Sequence, residues 1–338
     1  MKLPAPRGPL GASLTDLLVH PPRDTDDVDD AVLSRWRDAA AVADPVTDDD
    51  VQLTLWTLYA LHYRGFEGVD DAWEWDPHLL RLRRVLEVAF EAALRHQVPA
   101  PAATAAEREA VAAALFAMTA PAPGPSVARY VSRSADATQA EEFLIHRSLY
   151  TLMEADPHTW AVPRLSGAPK AALVEVQADE YGGGRPDRMH SALFARTMRG
   201  AGLVDEYGYY VDRLPAVTIA ALNVMSLFGL HRRWRGAIAG HLAAFEMTSS
   251  LPNRLYGDGF RRLGHDAGTT DYFDEHVEAD AVHEQIAGRD LAGRLAEQEP
   301  ELVGDILFGA AACLYLDELV GRHLLDAWSA GTSSLRAA

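Results

Sequence analysis

Residues 272–284 read YFDEHVEADAVHE and contain two histidines and an aspartate at regular intervals. His276, Asp280 and His283 are four and then three residues apart, so their side chains lie on one face of an α-helix. A stripe of this kind on a helix is either a solvated surface or a set of metal ligands. The sequence of the other predicted helices distinguishes between these two interpretations.

The composition of the 338-residue chain, 48% hydrophobic and 24% charged, is typical of a globular protein. Its 49 acidic and 31 basic residues argue against binding to nucleic acid or to an anionic membrane. The single cysteine, Cys313, allows no intrachain disulfide. The sequence also shows neither a secretory signal nor an apolar stretch long enough to cross a bilayer. We therefore expect a cytoplasmic protein with no nucleic-acid or membrane partner.

The spacing of the apolar residues predicts an all-α fold. Helical periodicity occurs in residues 51–63, 78–95 and 108–119, and the segment PAPGPS at 121–126 follows as a linker or hinge. Longer helices are predicted beyond it, at residues 138–158, 169–183, 186–202, 213–233, 235–255, 271–291 and 300–328. The expected organisation is an N-terminal helical region over residues 1–135 and a larger helical domain over residues 136–338.

Three glutamates interrupt otherwise apolar helical segments, namely Glu154, Glu180 and Glu246. A carboxylate in such surroundings is costly to desolvate unless it is paired or bound to a cation. Metal sites in helical bundles combine such carboxylates with a carboxylate–x–x–His pair, a pattern that Asp280 and His283 provide. Together with His190 and His276, these nitrogen and oxygen donors suit iron or manganese better than zinc or a thiolate-preferring metal.

The order and spacing of these residues resemble those of the heme-oxygenase-like diiron oxidases and oxygenases, also called iron-containing redox enzymes. Members of this family have a helical fold similar to that of heme oxygenase but bind two irons instead of heme. The resemblance covers about residues 136–330. It implies seven candidate ligands, which are Glu154, Glu180, His190, Glu246, His276, Asp280 and His283.

Two of these assignments have alternatives in the sequence. Glu141 and Glu142 lie on the same predicted helix as Glu154, and Glu175 lies on the same predicted helix as Glu180. Glu180 and His190 are ten residues apart, a spacing that does not place two side chains on one face of an unbroken helix. The intervening GGGRP must therefore redirect the chain if both residues are ligands.

The resemblance implies an O2-dependent oxidoreductase with two iron ions, acting on a small amine- or acid-bearing metabolite in biosynthesis. N-oxygenation is favoured over desaturation and oxidative C–C cleavage, because the N-terminal helical region resembles that of N-oxygenating members. The expected partners are a small-molecule substrate, an external electron donor and a second copy of the chain in a homodimer. The alternatives are a heme or cofactorless oxidase of the same fold, and a helical metal-binding or interaction protein without turnover.

Overall fold

The protein consists of helices joined by turns. A computed structural model describes residues 1–22, 30–121 and 123–337, among which no β-strand occurs, and describes residues 278–281 by their helical backbone only. The helices are α1 (Pro9–Leu18), α2 (Asp30–Ala40), α3 (Asp49–Ala60), α4 (Pro77–Gln97), α5 (Arg108–Met118), α6 (Val127–Arg133), α7 (Ala137–Thr151), α8 (Asp156–Thr159), α9 (Gly167–Glu180), α10 (His190–Gly200), α11 (Ala216–Leu230), α12 (Arg235–Met247), α13 (Ser250–Arg262), α14 (Ala267–Gln285), α15 (Arg294–Gln298) and α16 (Val303–Ser329). The predicted all-α fold is confirmed. No helix within the described residues is long and apolar enough to cross a membrane.

The described residues form two compact units. The first contains residues of Met1–Gln97 and Gly208–Asn223 together with Arg336 and Ala337, and the second contains Val98–Tyr207 and Val224–Leu335. The boundaries of these units differ from the domain boundary expected between residues 135 and 136. That domain boundary stays a prediction. The candidate ligands all belong to the second unit.

The first unit has its own apolar core. Trp36, Trp56 and Phe90 are each almost completely buried. Asp50 accepts hydrogen bonds from the backbone N–H groups of Leu10 and Gly11, both at 2.8 Å, at the start of α1. These N–H groups have no partner within the helix, so the carboxylate compensates for their burial.

Helix α7 is shorter than the sequence predicts. The predicted helix over residues 138–158 ends at Thr151, and a second helix, α8, begins at Asp156. Between them the buried residue Ala155 has a φ of 74°, in the left-handed region that side chains other than glycine rarely adopt. The prediction of one continuous helix was wrong. Pro157, in the first turn of α8, is a local signal for a new helix, whereas Ala155 is a strong helix former and gives no sign of the left-handed turn.

The predicted helix over residues 235–255 was also wrong in its extent. The helix is interrupted at Thr248 and Ser249. The LPN segment, which was expected to end the helix, lies inside α13. Pro252 falls in the first turn of α13, where a backbone N–H has no helical partner and its absence costs little. The break places Glu246 in the last turn of α12.

Helices α12 and α16 approach closely because glycines lie at their contact. A Cβ atom added at Gly240 would overlap the carbonyl oxygen of Ile306, and one added at Gly309 would overlap that of Ala237. Helix α12 carries Glu246, so this close approach fixes the position of one candidate ligand.

Replacement of Gly240 by alanine is expected to lower the free energy of unfolding by about 2–3 kcal/mol, because the added methyl group must push α12 away from α16. The matched control is Gly304→Ala on α16, where an added Cβ meets no atom within 4 Å. This control should leave stability unchanged or raise it by up to about 1 kcal/mol, since alanine is the better helix former. Urea unfolding measures the free energy of unfolding of both variants. Equal values for Gly240→Ala and Gly304→Ala would contradict the prediction.

Candidate metal centre

Six candidate ligands converge within the second unit. They form two overlapping groups, one of Glu154, Glu180, His190 and His276 and the other of Glu180, Glu246 and His283. In each group, one potential ligand atom per residue lies within 4.8 Å of the others. All six side chains are at most 8% exposed. Glu180 belongs to both groups, so the two groups share one carboxylate and form a single cluster.

The glycine-rich turn brings Glu180 and His190 together. Glu180 is the last residue of α9 and His190 is the first of α10. Between them Gly182, Gly183 and Gly184 have φ values of 67°, 59° and 80°, which glycine adopts without strain. The redirection that the sequence requires of GGGRP is thus observed, and it places His190 Nδ1 2.9 Å from Glu180 Oε2.

The histidine stripe on α14 faces inward. His276 Nδ1 donates a hydrogen bond to the Tyr272 carbonyl at 2.8 Å, which leaves Nε2 on the side of Glu154, 3.7 Å from its Oε1. His283 Nε2 donates to Asp179 at 3.1 Å, so its Nδ1 faces the second group, 3.5 Å from Glu246 Oε2. Asp280, on the same helix, has a side chain outside the described residues. The two histidines do not lie on a solvated surface.

The alternative glutamates lie elsewhere. Glu142 is buried but accepts hydrogen bonds from Trp328 Nε1 at 2.8 Å and from Ser334, in the C-terminal segment. Glu175 is exposed on α9, and Glu141 is partly exposed on α7. The structure therefore brings Glu154 and Glu180 into the centre rather than these alternatives.

The donor atoms fit a bound cation. Glu154 Oε2, His190 Nδ1 and His283 Nδ1 are fully buried, and none makes a hydrogen bond of acceptable geometry. Buried polar atoms are nearly always satisfied, so three orphans in one centre indicate a missing partner. Two donors bound at right angles to one ion lie about 3 Å apart when each bond is about 2.1 Å long. The separation of 2.9 Å between His190 and Glu180 agrees with that geometry.

The electrostatics of the centre favour positive charge. Burial raises the pKa of Glu180, but the imidazoles of His190, His276 and His283 outweigh it and lower this pKa to about 2. Burial lowers the pKa of His283, but Glu246 and Asp179 outweigh burial and raise this pKa to about 9. The carboxylates thus draw a proton onto His283, and a metal ion would compete with that proton for the same position.

Residues outside the predicted set hold the ligands in place. Tyr272 donates a hydrogen bond from its hydroxyl to Glu154 Oε1 at 3.0 Å and accepts one from His276 at its carbonyl. Asp179 orients His283. Such partners fix the ring nitrogen that faces a metal and the free oxygen of a carboxylate. The i−4 spacing of Tyr272 from His276 is the one sequence signal that could have identified it.

A small cavity adjoins the candidate ligands. Its remaining walls include Tyr150, Ala155, His158, Val176, Gln177, Leu242, Phe245 and Ser249. Its volume is about 10 Å³, which is room for about one water molecule. Among the described residues, the lining contains three glutamates and no lysine or arginine. The sequence alone did not identify His158 and Gln177 as part of this site.

The chain belongs to the family of iron-containing redox enzymes. The family match covers residues 141–318, more than half of the chain, and includes every candidate ligand. The helical fold is accordingly the heme-oxygenase-like fold, and the family to which the chain belongs is one of redox enzymes.

The chain is also similar to nitrosourea synthase from Streptomyces achromogenes subsp. streptozoticus. The two sequences are 28% identical over 188 residues, which is 53% of this chain and 40% of the relative. The match therefore spans about two fifths of that protein's length.

Proposed function

We propose that the protein is a dinuclear non-heme iron enzyme that uses O2 to oxidise or oxygenate a small amine- or acid-bearing metabolite. The observation that carries this proposal is the position of Glu180, which belongs to both buried groups of ligand atoms. A carboxylate common to both groups would be a ligand available to two ions, and helical bundles hold dimetal sites with carboxylates of this kind.

Glu154, Glu180, His190 and His276 would hold one iron, and Glu180, Glu246 and His283 would hold the other, with Asp280 as a further proposed ligand. Iron bound there as Fe(II) would supply the reducing power toward O2. Tyr272 holds one oxygen of Glu154 and leaves Oε2 to the metal. The buried walls keep bulk water away from the reacting atoms.

Among the reactions open to such a centre, we favour N-oxygenation. A nitrosourea contains a nitrogen–oxygen bond, so the name of the relative indicates oxidation at nitrogen in that protein. For a primary amine the balanced step is amine plus O2, two electrons and two protons giving hydroxylamine and water. An external reductant would supply these two electrons by returning the bound iron to Fe(II), and we propose such a donor as a partner, together with a homodimeric assembly.

Iron binding provides the first test. After anaerobic loading with Fe(II) and removal of excess metal, we expect about two iron ions per chain, one for each of the two groups of ligand atoms. Metal analysis by mass spectrometry measures the ratio, and the protein without added iron is the control. A content below about one iron per chain would contradict the proposal.

The reaction type is tested separately. The Fe(II)-loaded protein is supplied with a reductant, ¹⁸O2 and pools of either amine or carboxylic acid metabolites, and the products are followed by mass spectrometry. The proposal expects ¹⁸O on nitrogen of an amine. A desaturated or shortened product without a new nitrogen–oxygen bond would contradict N-oxygenation while leaving the iron enzyme in place.

A further inference from the structure

Besides Glu154 Oε2, two buried polar atoms of residues that line the cavity have no hydrogen-bond partner among the described residues. They are Nδ1 of His158 and Oε1 of Gln177. His158 is 1% exposed and Gln177 is 5% exposed. Neither residue belongs to the two groups of metal ligands. Buried polar atoms without partners are rare, so their presence beside a reactive centre points to a ligand that pairs with them.

The amide of Gln177 presents an acceptor. Its Nε2 donates a hydrogen bond to the carbonyl oxygen of Ala155 at 3.3 Å, and only the nitrogen end of an amide can do so. Oε1 is therefore the remaining, unsatisfied end. Gln177 lies three residues before Glu180 on α9, so both side chains reach the same side of the helix.

The imidazole of His158 is held by a second buried imidazole. Nε2 of His158 lies 3.2 Å from Nδ1 of His241, so one of the two nitrogens donates to the other. Burial lowers the pKa of His158 to about 4 and lowers that of His241 as well, so both rings are neutral. When His158 supplies the shared proton, its Nδ1 carries a lone pair and is a second acceptor.

The surroundings of these acceptors disfavour an anion. Glu154, Glu180 and Glu246 line the same cavity, and no lysine or arginine in the described part of the chain does. The space suits one water-sized atom. A nitrogen bearing several N–H groups has that size and has the donors that two neutral acceptors and a carboxylate require.

We propose that Gln177 and His158, the latter as the tautomer protonated at Nε2, bind the N–H groups of an amine nitrogen of the substrate next to the metal ligands. The identification of this nitrogen as the substrate's rests on the proposed function, whereas its binding does not depend on turnover. The two residues would thereby select amines over carboxylic acids.

Methylammonium, acetate and tetramethylammonium serve as matched ligands, because each gives a sharp methyl signal in proton NMR. Anaerobic Fe(II)-loaded protein is paramagnetic and broadens the signal of a ligand that binds near the iron, with no oxygen for turnover. We expect concentration-dependent broadening of methylammonium. The methyl signal of acetate should broaden little. The signal of tetramethylammonium, which has the positive charge but no N–H group, should also broaden little. Broadening of tetramethylammonium or acetate equal to that of methylammonium would overturn the proposal.

Variants locate the binding residues. Gln177→Leu and His158→Phe should each weaken methylammonium binding about tenfold, the effect of losing one hydrogen bond to a charged donor. Glutamate has nearly the same shape as glutamine, so Gln177→Glu should tighten the binding of methylammonium. Misfolding of the variant could not produce tighter binding. Glu175→Gln, an exposed change on the same helix, is the control and should match the wild type. The proposal fails if Gln177→Leu and His158→Phe bind as the wild type does and Gln177→Glu gives no gain.

Failure of this proposal and failure of the proposed function can be told apart. If the chain does not retain iron, Mn(II), a paramagnetic ion suited to the same donors, replaces it in the NMR measurement. Amine binding with the expected variant effects but without any oxygenated product would refute the enzyme reaction and leave the binding site intact. If wild type, Gln177→Leu and His158→Phe form the oxygenated product equally well, the enzyme reaction stands and the proposed amine-binding site is refuted.

Discussion

Replacement of Glu180 by alanine is expected to reduce the iron content from about two ions to less than one per chain and to abolish O2-dependent oxidation. The reason is that Glu180 is the one described side chain present in both groups of ligand atoms. Replacement of Glu246 by alanine removes a donor from the second group alone. That variant should therefore retain about one iron per chain, held by the first group. Metal analysis after anaerobic loading measures both contents.

Glu175→Ala is the matched control for these variants, because Glu175 lies on the same helix as Glu180 and is exposed. Its iron content should equal that of the wild type. Circular dichroism must show unchanged helical content, so that loss of metal is separated from loss of fold. If Glu180→Ala and Glu246→Ala lose the same amount of iron, the two positions do not share Glu180 as the geometry indicates.

Lowering the pH from 7 to 4 is expected to remove about 3 kcal/mol of stability through His146 alone. This histidine is 5% exposed and lies 3.1 Å from the hydroxyl of Ser334. Burial, with a smaller effect of His323, lowers its pKa from 6.5 to about 3. Between these two values the unfolded chain binds a proton that the folded chain does not. The stabilisation is therefore complete above pH 6.5 and is lost progressively as the pH falls towards 3.

The test compares wild type with His146→Gln in urea at several pH values. Glutamine does not titrate and can still contact Ser334, so the stability of the variant should depend less on pH. The difference in free energy of unfolding between the two proteins should change by about 3 kcal/mol over this range. Parallel stability curves from pH 7 to 4 would show that His146 does not titrate differently in the folded and unfolded chains.

Local patterns in the sequence accounted for the fold class and much of the centre. Helical periodicity predicts an all-α protein, and the spacing of His276 and His283 predicts a common face, because both depend only on the geometry of one helix. The glycines before His190 predict the redirected chain, because only glycine adopts consecutive positive φ values at low cost. These features are encoded within a few residues of one another.

Other features were decided by tertiary packing. Ala155 adopts a left-handed conformation that its identity disfavours, and this turn ends α7. The sequence leaves Glu141, Glu142 and Glu154 as alternatives, and only the rotation and length of α7 select Glu154. A helix has the same local sequence whichever face its neighbours cover, so the choice among nearby carboxylates depends on contacts with distant segments.

The sequence by itself determined the helical architecture and the common face of His276 and His283, and it supplied the candidate iron ligands. The tertiary structure decided which glutamates meet these histidines and made Glu180 common to both groups. It also placed His158 and Gln177 in the cavity wall beside them. The physical reason is that ligand identity follows from side-chain chemistry, whereas proximity follows from the packing of helices far apart in the chain. His158 and His241, 83 residues apart, become hydrogen-bonded neighbours only in the folded protein.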